Sequence, residues 1–205
     1  VELVNYLTRY SKPEGIRELP VPHVSLRKGK ENPSRREIEH AQQGRGGHIR
    51  AKMNSLVDPG IIALLYEASQ AGVTIELIIR GMCCLYPGRK GLSESIRVVS
   101  IIGRFLEHSR IFWFGNGGNP EVYIGSADWM PRNLDRRVEA VTPVEEPTLR
   151  EQLERLLQVY LDDNRGAFDM QSNGDFTQRH PEGTERNSQL QLIETWKKGV
   201  PAQTA

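Results

Sequence analysis

The sequence has little cysteine and no long run of apolar residues. Its 205 residues include two cysteines, the neighbours Cys83 and Cys84. Adjacent cysteines do not form an ordinary unstrained disulfide and lack the spacing of metal ligands, so a disulfide scaffold is excluded and a reducing compartment is favoured. No stretch approaches the ~18 apolar residues that a membrane-spanning helix requires. The sequence therefore predicts a soluble protein.

Other signatures of common protein classes are also absent. The chain has no GxxxxGK[ST] phosphate-binding loop, and its five histidines are scattered without the spacing of zinc ligands. No secretory signal opens the chain, and its first residues, VELVNYLTRYS, read like the middle of a longer protein. We therefore expect a missing upstream portion, no metal site in this chain and, from its length, one domain with a tail.

Charge is distributed unevenly along the chain. Residues 1–137 contain 20 Lys and Arg against 14 Asp and Glu, whereas residues 138–205 contain 7 against 12. The basic excess of the first part is too small for a nucleic-acid groove, which needs a denser basic stripe with interleaved aromatic residues. A compact anion such as phosphate fits this excess better.

Strand and helix patterns alternate from residue 48 onward. The segment 48–54 (HIRAKMN) alternates polar and apolar residues, as a strand does. It is followed by a helix with Asp58 as N-cap and Pro59 at the first helical position, and then by the apolar strand 73–81 (VTIELIIRG). Strand, helix and strand in short succession predict a crossover unit, a partly parallel sheet and an α/β fold.

Further elements are predicted on both sides of this unit. Residues 10–36 are rich in proline, glycine and charge and are predicted to be mostly loop, with a short helix from Ser34 to Gln43. Residues 164–187 are polar and are predicted to be mobile. The remaining predictions are the strands IRVVSII, RIFWFGN, EVYIGSA and RRVEAVTPV, with a hairpin between the second and third, and the helices EPTLREQLERLLQVYLDD and SQLQLIETWKK.

Three side chains are candidates for binding a phosphate. Arg80 ends an apolar strand, and in sheets with crossover helices ligands collect outside the carboxyl ends of the strands. His108 and Arg110 lie two residues apart at the start of a strand, so both are expected to point to one face and to bind one phosphoryl group. His108 also has the chemistry of a nucleophile or a general acid. A surface arginine and a structural histidine remain the alternatives.

A second set of polar residues lies on neighbouring strands. Ser126 and Asp128 are expected to share a face, where Ser126 can donate to phosphate and Asp128 can orient a histidine, and Asn133 follows closely. Lys52 and Asn54 are expected on the polar face of the first strand. We predict that all five contribute to phosphate binding, the alternatives being a solvated turn and an exposed strand face.

Four segments together resemble the closing domain of bacterial polyphosphate kinase, the type that synthesises long chains. They are AKMNSLVD, IIRGMCCL, GRFLEHSRIFWF and GSADWMPRNLDRRVEAVTP. The resemblance implies a phospholipase D-like mixed β-sheet flanked by helices on both faces. It also implies a catalytic domain at residues 1–163, with an irregular first segment at 1–36, and a partly flexible extension at 164–205.

The resemblance implies an activity and the residues that carry it. Members of the family reversibly transfer the terminal phosphoryl group of ATP to polyphosphate through a phosphohistidine in a preceding domain, which this chain lacks. Arg80 matches the family's nucleotide-contacting arginine, and His108 matches its second essential histidine, which also contacts ATP. The chain alone is therefore expected to bind phosphates without activity.

The resemblance also implies cofactors, partners and a location. The implied partners are ATP or ADP, polyphosphate, the preceding domains of the same enzyme and further copies of it, with no nucleic acid. The implied cofactor is Mg²⁺, with ligands outside this chain. The implied location is the cytoplasm, and association with the inner face of the membrane is left open.

The sequence departs from the related motifs at several positions. EHSR and GSAD are similar to the His-x-Lys and Gly-Ser-x-Asn motifs of the phospholipase D superfamily, with Arg110 in place of Lys and Asp128 in place of Asn. The superfamily's acidic residue would fall at Gly115, which argues against a phosphodiesterase. Tyr86 replaces a usual arginine, and residues 29–34 interrupt a usually apolar helix. A phospholipase D-like phosphodiesterase and a non-catalytic phosphate-binding or assembly module are the alternative functions.

Overall fold

The computed structural model describes residues 26–137 and 139–197, with side chains from residue 31 onward. Within these residues the strands form one sheet, and their bounds are β1 (His48–Met53), β2 (Thr74–Ile79), β3 (Ile96–Ile101), β4 (Arg110–Phe114), β5 (Glu121–Gly125), β6 (Val141–Pro143), β7 (Ala167–Met170) and β8 (Phe176–Gln178). The helices are α1 (Leu26–Gln42), α2 (Pro59–Gln70), α3 (Pro131–Asp135), α4 (Pro147–Leu161) and α5 (Ser188–Lys197).

The sheet is mixed, with the strand order β6-β5-β4-β1-β2-β3-β7-β8. β1, β2 and β3 are parallel neighbours, and β1 pairs antiparallel with β4 on its other side. The predicted crossover unit is confirmed, because α2 connects the parallel strands β1 and β2. The predicted hairpin of β4 and β5 is confirmed as well. The carboxyl ends of β1 and β2 therefore lie beside the start of β4.

Alternation along β1 divides the interior into two cores. Ile49, Ala51 and Met53 face one core with residues of α1 and α2. The opposite face, which carries Lys52, packs beneath α4 through apolar residues that include Ile78, Val99, Ile111, Trp113 and Leu157. The register pairs Lys52 with Ile78 and with Ile111, so all three share this face. Helices thus cover both faces of the sheet, as predicted.

The first helix is longer than predicted. Residues 26–36 were expected to be mostly loop, but α1 begins at Leu26 and continues through Pro33. The buried positions are 33, 34, 37, 38 and 40, which recur at helical spacing, yet they include the polar residues Ser34, Glu37 and His40. A search for apolar periodicity misses a helix whose buried face is half polar. Residues 10–25 of the predicted loop lie outside the described residues.

The carboxyl-terminal part is also more ordered than predicted. Residues 164–187, expected to be mobile, contain the hairpin of β7 and β8, and β7 pairs with β3. Arg179 holds this hairpin, because its guanidinium binds both carboxylate oxygens of Asp169 and the backbone oxygens of Leu161 and Asp163. The contacts that stabilise this hairpin are made by charged side chains. Residues 164–187 therefore have the polar, charged composition that is typical of a disordered segment.

The segment from residue 131 to 144 differs in detail from its prediction. A continuous strand was predicted over 136–144, but β6 spans only Val141–Pro143. The short helix α3 precedes it and was not predicted; Pro131 is its first residue. The predicted helices at α4 and α5 are confirmed.

A polar network connects the starts of β1 and β2. Glu76 accepts hydrogen bonds from His48 Nε2 at 3.0 Å and from Arg50 Nε at 2.8 Å. These bonds lower the pKa of the Glu76 carboxyl from its ordinary 4.5 to about 2, with the charge of Arg50 adding to the effect and partial burial opposing it. The ion pair is therefore retained at neutral pH and lost in acid.

We expect the free energy of unfolding to fall as the pH decreases from about 4.5 to 2. The folded-state pKa lies below the unfolded-state value, so the unfolded chain binds more protons in this window and acid favours unfolding. The contribution is at most about 3 kcal/mol and is reduced by solvent, since the Glu76 side chain is 18% exposed. Urea unfolding of the wild type and Glu76→Gln at several pH values measures it. Equal pH slopes for the two proteins would contradict the prediction, and Glu94→Gln, at an exposed position, is the control.

Candidate active site

A buried lysine lies at the centre of the polar residues. Lys52, near the end of β1, is 2% exposed. Its Nζ atom lies 3.0 Å from Glu107 Oε2, donates to Ser109 Oγ at 2.8 Å, and lies 4.8 Å from the centre of the Tyr160 ring. Burial lowers the pKa of Lys52, and Glu107 opposes this effect. The amine is therefore bonded within the chain.

Two arginines surround this lysine. Arg80 follows β2 directly and is partly exposed, and Arg110 is the first residue of β4. The charges of both arginines contribute to the lowered pKa of Lys52, so three cationic side chains lie close enough to interact. Lys52 is paired with Glu107 and Arg110 with Asp128, so Arg80 is the cation of this group that has no ion-pair partner among the described residues, and it is suited to bind a phosphate.

Asp128 fixes the arrangement of these groups. Its carboxylate accepts from Arg110 Nε at 3.2 Å and Nη2 at 3.3 Å, and from the Asn54 backbone N–H at 2.8 Å. The neighbouring Trp129 is fully buried and stacks on Phe112 with ring centres 5.4 Å apart. Asp128 therefore ties the ends of β1 and β5 to the start of β4.

Asn54 completes this connection. Its side-chain amide donates weakly to Asp128 at 3.4 Å, while its Oδ1 atom is buried and has no hydrogen-bond partner among the described residues. An acceptor without a donor beside three cations is a point where a bound hydroxyl group or water would be favoured. The predicted residues Lys52, Asn54, Arg80, Arg110 and Asp128 are thus brought together.

His108 lies at the solvent-facing border of this cluster. It is exposed and sits between Glu107 and Ser109, the two residues that bind Lys52 Nζ. Its backbone oxygen accepts from Arg110 Nη1 at 3.0 Å. Asp128 was predicted to orient a histidine, but within the described residues it accepts from Asn54 and Arg110. It is connected to the His108 backbone through the Arg110 guanidinium. The imidazole remains accessible to a ligand or to another domain.

Ser126 and Asn133 belong to a different network. Ser126 Oγ and Asn133 Nδ2 both donate to the carboxylate of Glu139, which is 8% exposed. Ser126 Oγ also accepts from the Ala140 backbone N–H at 3.1 Å. A Cβ at the adjacent Gly125 would lie 2.5 Å from Ala140 O, so the glycine allows the close approach of the backbone that leads into β6. The sequence prediction missed Glu139.

Glu107 is the second residue that the sequence prediction missed. Burial alone would raise the pKa of its carboxyl, but Lys52, Gln189 and Tyr160 together hold that pKa below its ordinary value. The pKa of the Tyr160 hydroxyl is raised, first by burial and then by the Glu107 carboxylate. Nothing in the local pattern of EHSR marks Glu107, because its partners come from β1, α4 and α5.

The described residues lack two further features. They contain no group of three or more His, Cys, Asp or Glu side chains that could hold a metal ion. None of their helices combines the length and apolar character needed to cross a membrane.

Comparison with known proteins identifies relatives of the whole chain. The family model described as polyphosphate kinase C-terminal domain 2 matches residues 19–191. The polyphosphate kinase of Parasynechococcus marenigrum (strain WH8102) is 74% identical over 203 residues, which are 98% of this chain and 28% of the relative. The polyphosphate kinase of Pseudomonas aeruginosa is 46% identical over 206 residues and is covered to 30%. The chain thus spans less than a third of the length of these relatives.

Solved structures agree with this relationship. Polyphosphate kinase from Porphyromonas gingivalis matches with a TM-score of 0.92 and 38% identity, covering 96% of this chain and 30% of that protein. Nuc from Salmonella typhimurium, a phospholipase D family member, matches with a TM-score of 0.54 and 19% identity, covering 75% of this chain and 98% of Nuc. The second match shows that the fold is shared.

Proposed function

Because this chain belongs to the polyphosphate kinase family, we propose that it forms the phosphate-binding side of a catalytic cleft. The complete reaction moves the terminal phosphoryl group of ATP to polyphosphate through a phosphohistidine of a preceding domain. The observation that carries the proposal is the convergence of Arg80, Arg110 and Lys52 beside the exposed His108.

The cationic side chains have a direct electrostatic role in this reaction. Phosphoryl transfer spreads negative charge over the transferred oxygens, so catalysis depends on fixed positive charges and positioning. Arg80 and Arg110 hold the phosphates of ATP, with Arg110 fixed by Asp128. Lys52, bonded to Glu107 and Ser109, adds positive charge from its buried position beneath the loop that carries His108. The buried Asn54 Oδ1 accepts a hydrogen bond from a water bound beside the phosphates.

His108 acts on the leaving side of the transferred group. In the first half-reaction the bond between the terminal phosphorus of ATP and its bridging oxygen breaks, and a nitrogen of the preceding domain's histidine takes the phosphoryl group. His108 donates a hydrogen bond or a proton to that bridging oxygen as ADP leaves. In the second half-reaction a terminal oxygen of polyphosphate takes the phosphoryl group from the histidine.

The remaining predicted residues support the border of the cleft. Ser126 and Asn133 donate to Glu139 and so fix the backbone that carries Asp128, which supports phosphate binding indirectly. A phospholipase D-like phosphodiesterase and a non-catalytic module are not favoured by the comparisons. The position of the superfamily's acidic residue is Gly115, packed near His48 and Glu37.

The proposal also includes the metal cofactor, the binding partners and the cellular location of the enzyme. Polyphosphate kinases are phosphotransferases that typically use a divalent metal, and we take that metal to be Mg²⁺ bound by residues outside this chain. The partners are ATP or ADP, polyphosphate, the preceding domains and further copies of the enzyme. The free thiols of Cys83 and Cys84 are consistent with a cytoplasmic location.

Replacing Arg80 tests the phosphate-binding role. In a full-length enzyme containing this sequence, Arg80→Ala should raise the KM for ATP about 10- to 100-fold, since it removes charge-assisted hydrogen bonds to phosphate. Arg80→Lys should recover part of the loss, because lysine keeps the charge but not the planar fork. Initial rates of polyphosphate synthesis against ATP concentration measure both. Arg155→Ala, at an exposed position of α4, is the control, and an Arg80→Ala enzyme with the control's KM would contradict the role.

A further inference from the structure

The loop that carries His108 is held by one glutamine of the last helix. Gln189 is 6% exposed and lies in the first turn of α5. Its Oε1 accepts from the Phe105 backbone N–H at 3.0 Å, and its Nε2 donates to the Phe105 backbone oxygen at 2.9 Å. The side-chain amide thus pairs with both backbone groups of one loop residue, as a neighbouring strand would.

The same amide group reaches the residue next to His108. Gln189 Nε2 also donates to Glu107 Oε1 at 2.8 Å, and Glu107 binds Lys52 through its other oxygen at 3.0 Å. Gln189 therefore contacts the loop at two positions, directly before His108 and three residues before it. The loop has few apolar anchors, since Phe105 and Leu106 are 49% and 76% exposed. Its conformation depends largely on these polar contacts.

The start of α5 and the loop backbone, between which the Gln189 side chain lies, are both held in place. Asp163 is 1% exposed, and its carboxylate accepts from the backbone N–H groups of Ser188 and Gly166 at 2.7 and 2.6 Å, so the start of α5 cannot shift easily. On the loop side, a Cβ at Gly103 would lie 2.5 Å from Gln189 Oε1. The amide therefore fits closely between an anchored helix and the loop backbone.

We propose that Gln189 is a positioning residue for His108. Through Phe105 and Glu107 it sets where the imidazole stands relative to Arg80 and Arg110, without touching the substrate itself. The inference rests on the proposed role of His108 in phosphoryl transfer. A displacement of about 1 Å at a reacting group can reduce a rate 100-fold, so even modest loosening of the loop should be measurable in kcat.

The test is a double-mutant cycle in a full-length enzyme containing this sequence. Gln189→Ala should lower kcat about 10- to 100-fold with a KM for ATP within about twofold of wild type, because Arg80 is not affected. In the His108→Ala background the same substitution should have no further effect, since both act through one group. Gln191→Ala replaces an exposed glutamine two residues along the same helix and is the matched control.

The Glu variant gives an independent measurement if the alanine variant folds poorly. Gln189→Glu keeps an acceptor for the Phe105 N–H but places a second carboxylate beside Glu107. Burial and the neighbouring charge raise the pKa of the new carboxyl, so protonation at lower pH restores a donor. The ratio of its kcat to that of the wild type should therefore increase as the pH falls below about 7. A constant ratio would contradict the inference.

The outcomes separate this inference from the proposed function. If His108→Ala is slow but Gln189→Ala has a normal kcat, the inference is overturned and the function stands. An equal loss of kcat from Gln189→Ala with and without His108 also overturns the inference, because the effect would not pass through the imidazole. If His108→Ala has a normal rate, the proposed role of His108 fails, and the inference fails with it.

Discussion

Replacement of His108 by alanine in a full-length enzyme containing this sequence is expected to lower kcat by about 100-fold or more. His108 is exposed, and its backbone oxygen accepts a hydrogen bond from Arg110, so a phosphate bound at Arg110 would lie close enough for a bridging oxygen to receive a proton from the imidazole. The fold should not change, because the exposed His108 ring makes no hydrogen bond or ion pair with the described residues. Rates of polyphosphate synthesis at saturating ATP, with the unfolding midpoint of each variant, measure the effect.

A second histidine supplies the control for this experiment. His180 is exposed just after β8 and has no proposed role, so His180→Ala should have wild-type activity. A near-normal kcat for His108→Ala would remove this residue from the mechanism. The assignment of the nucleophile to a preceding domain has its own check: an acid-labile phosphohistidine formed on this chain alone, with polymer made from ATP, would contradict it.

Removing the charge of Lys52 is expected to have the largest effect on stability. Lys52→Met leaves the Glu107 carboxylate, 10% exposed, without its cation. Breaking a buried ion pair from one side typically costs about 3–5 kcal/mol, because the remaining charge is not compensated. Urea unfolding of this chain should therefore show a clear loss for Lys52→Met. Activity should fall as well, since the loop that carries His108 is tied to this pair.

The double variant Lys52→Met/Glu107→Gln distinguishes the ion pair from simple packing. Both replacements are close in size to the original residues, and an uncharged pair avoids the isolated carboxylate, so much of the stability should return. Lys90→Met changes an exposed lysine and should be nearly neutral. If Lys52→Met costs no more than Lys90→Met, or if the double variant is as unstable as the single one, the ion pair is not the cause.

The parallel strands at the centre of the sheet, and the polar residues at their carboxyl ends, could be predicted from local patterns. Alternation in HIRAKMN put Lys52 and Asn54 on one face, and the apolar strand that precedes Arg80 indicated the end of a crossover unit. These signals are short-range, because each depends on residues within one element. The same patterns gave the hairpin of β4 and β5, which brings Asp128, just after β5, to Arg110 at the start of β4.

The contacts that hold the site could not be predicted in this way. Glu107 is bonded to Lys52, Tyr160 and Gln189, which come from three separate elements, and no spacing within the sequence connects them. Glu139 likewise lies in an irregular segment whose sequence gives no sign of a buried carboxylate. Its role follows from the hydrogen bonds that it accepts from Ser126 and Asn133 in the folded chain. Buried carboxylates are assigned by tertiary structure, whereas hydropathy patterns treat them as surface residues.

The central position of β1 has a consequence for how the chain is made. β1, the first strand of the described residues, pairs with β2 on one edge and with β4 on the other. A ribosome releases β2 soon after β1, but the partner for the other edge is complete only once residue 114 has emerged. During that interval β1 presents an unpaired edge in the middle of a growing sheet, the kind of nascent surface that chaperones capture and that neighbouring chains can invade.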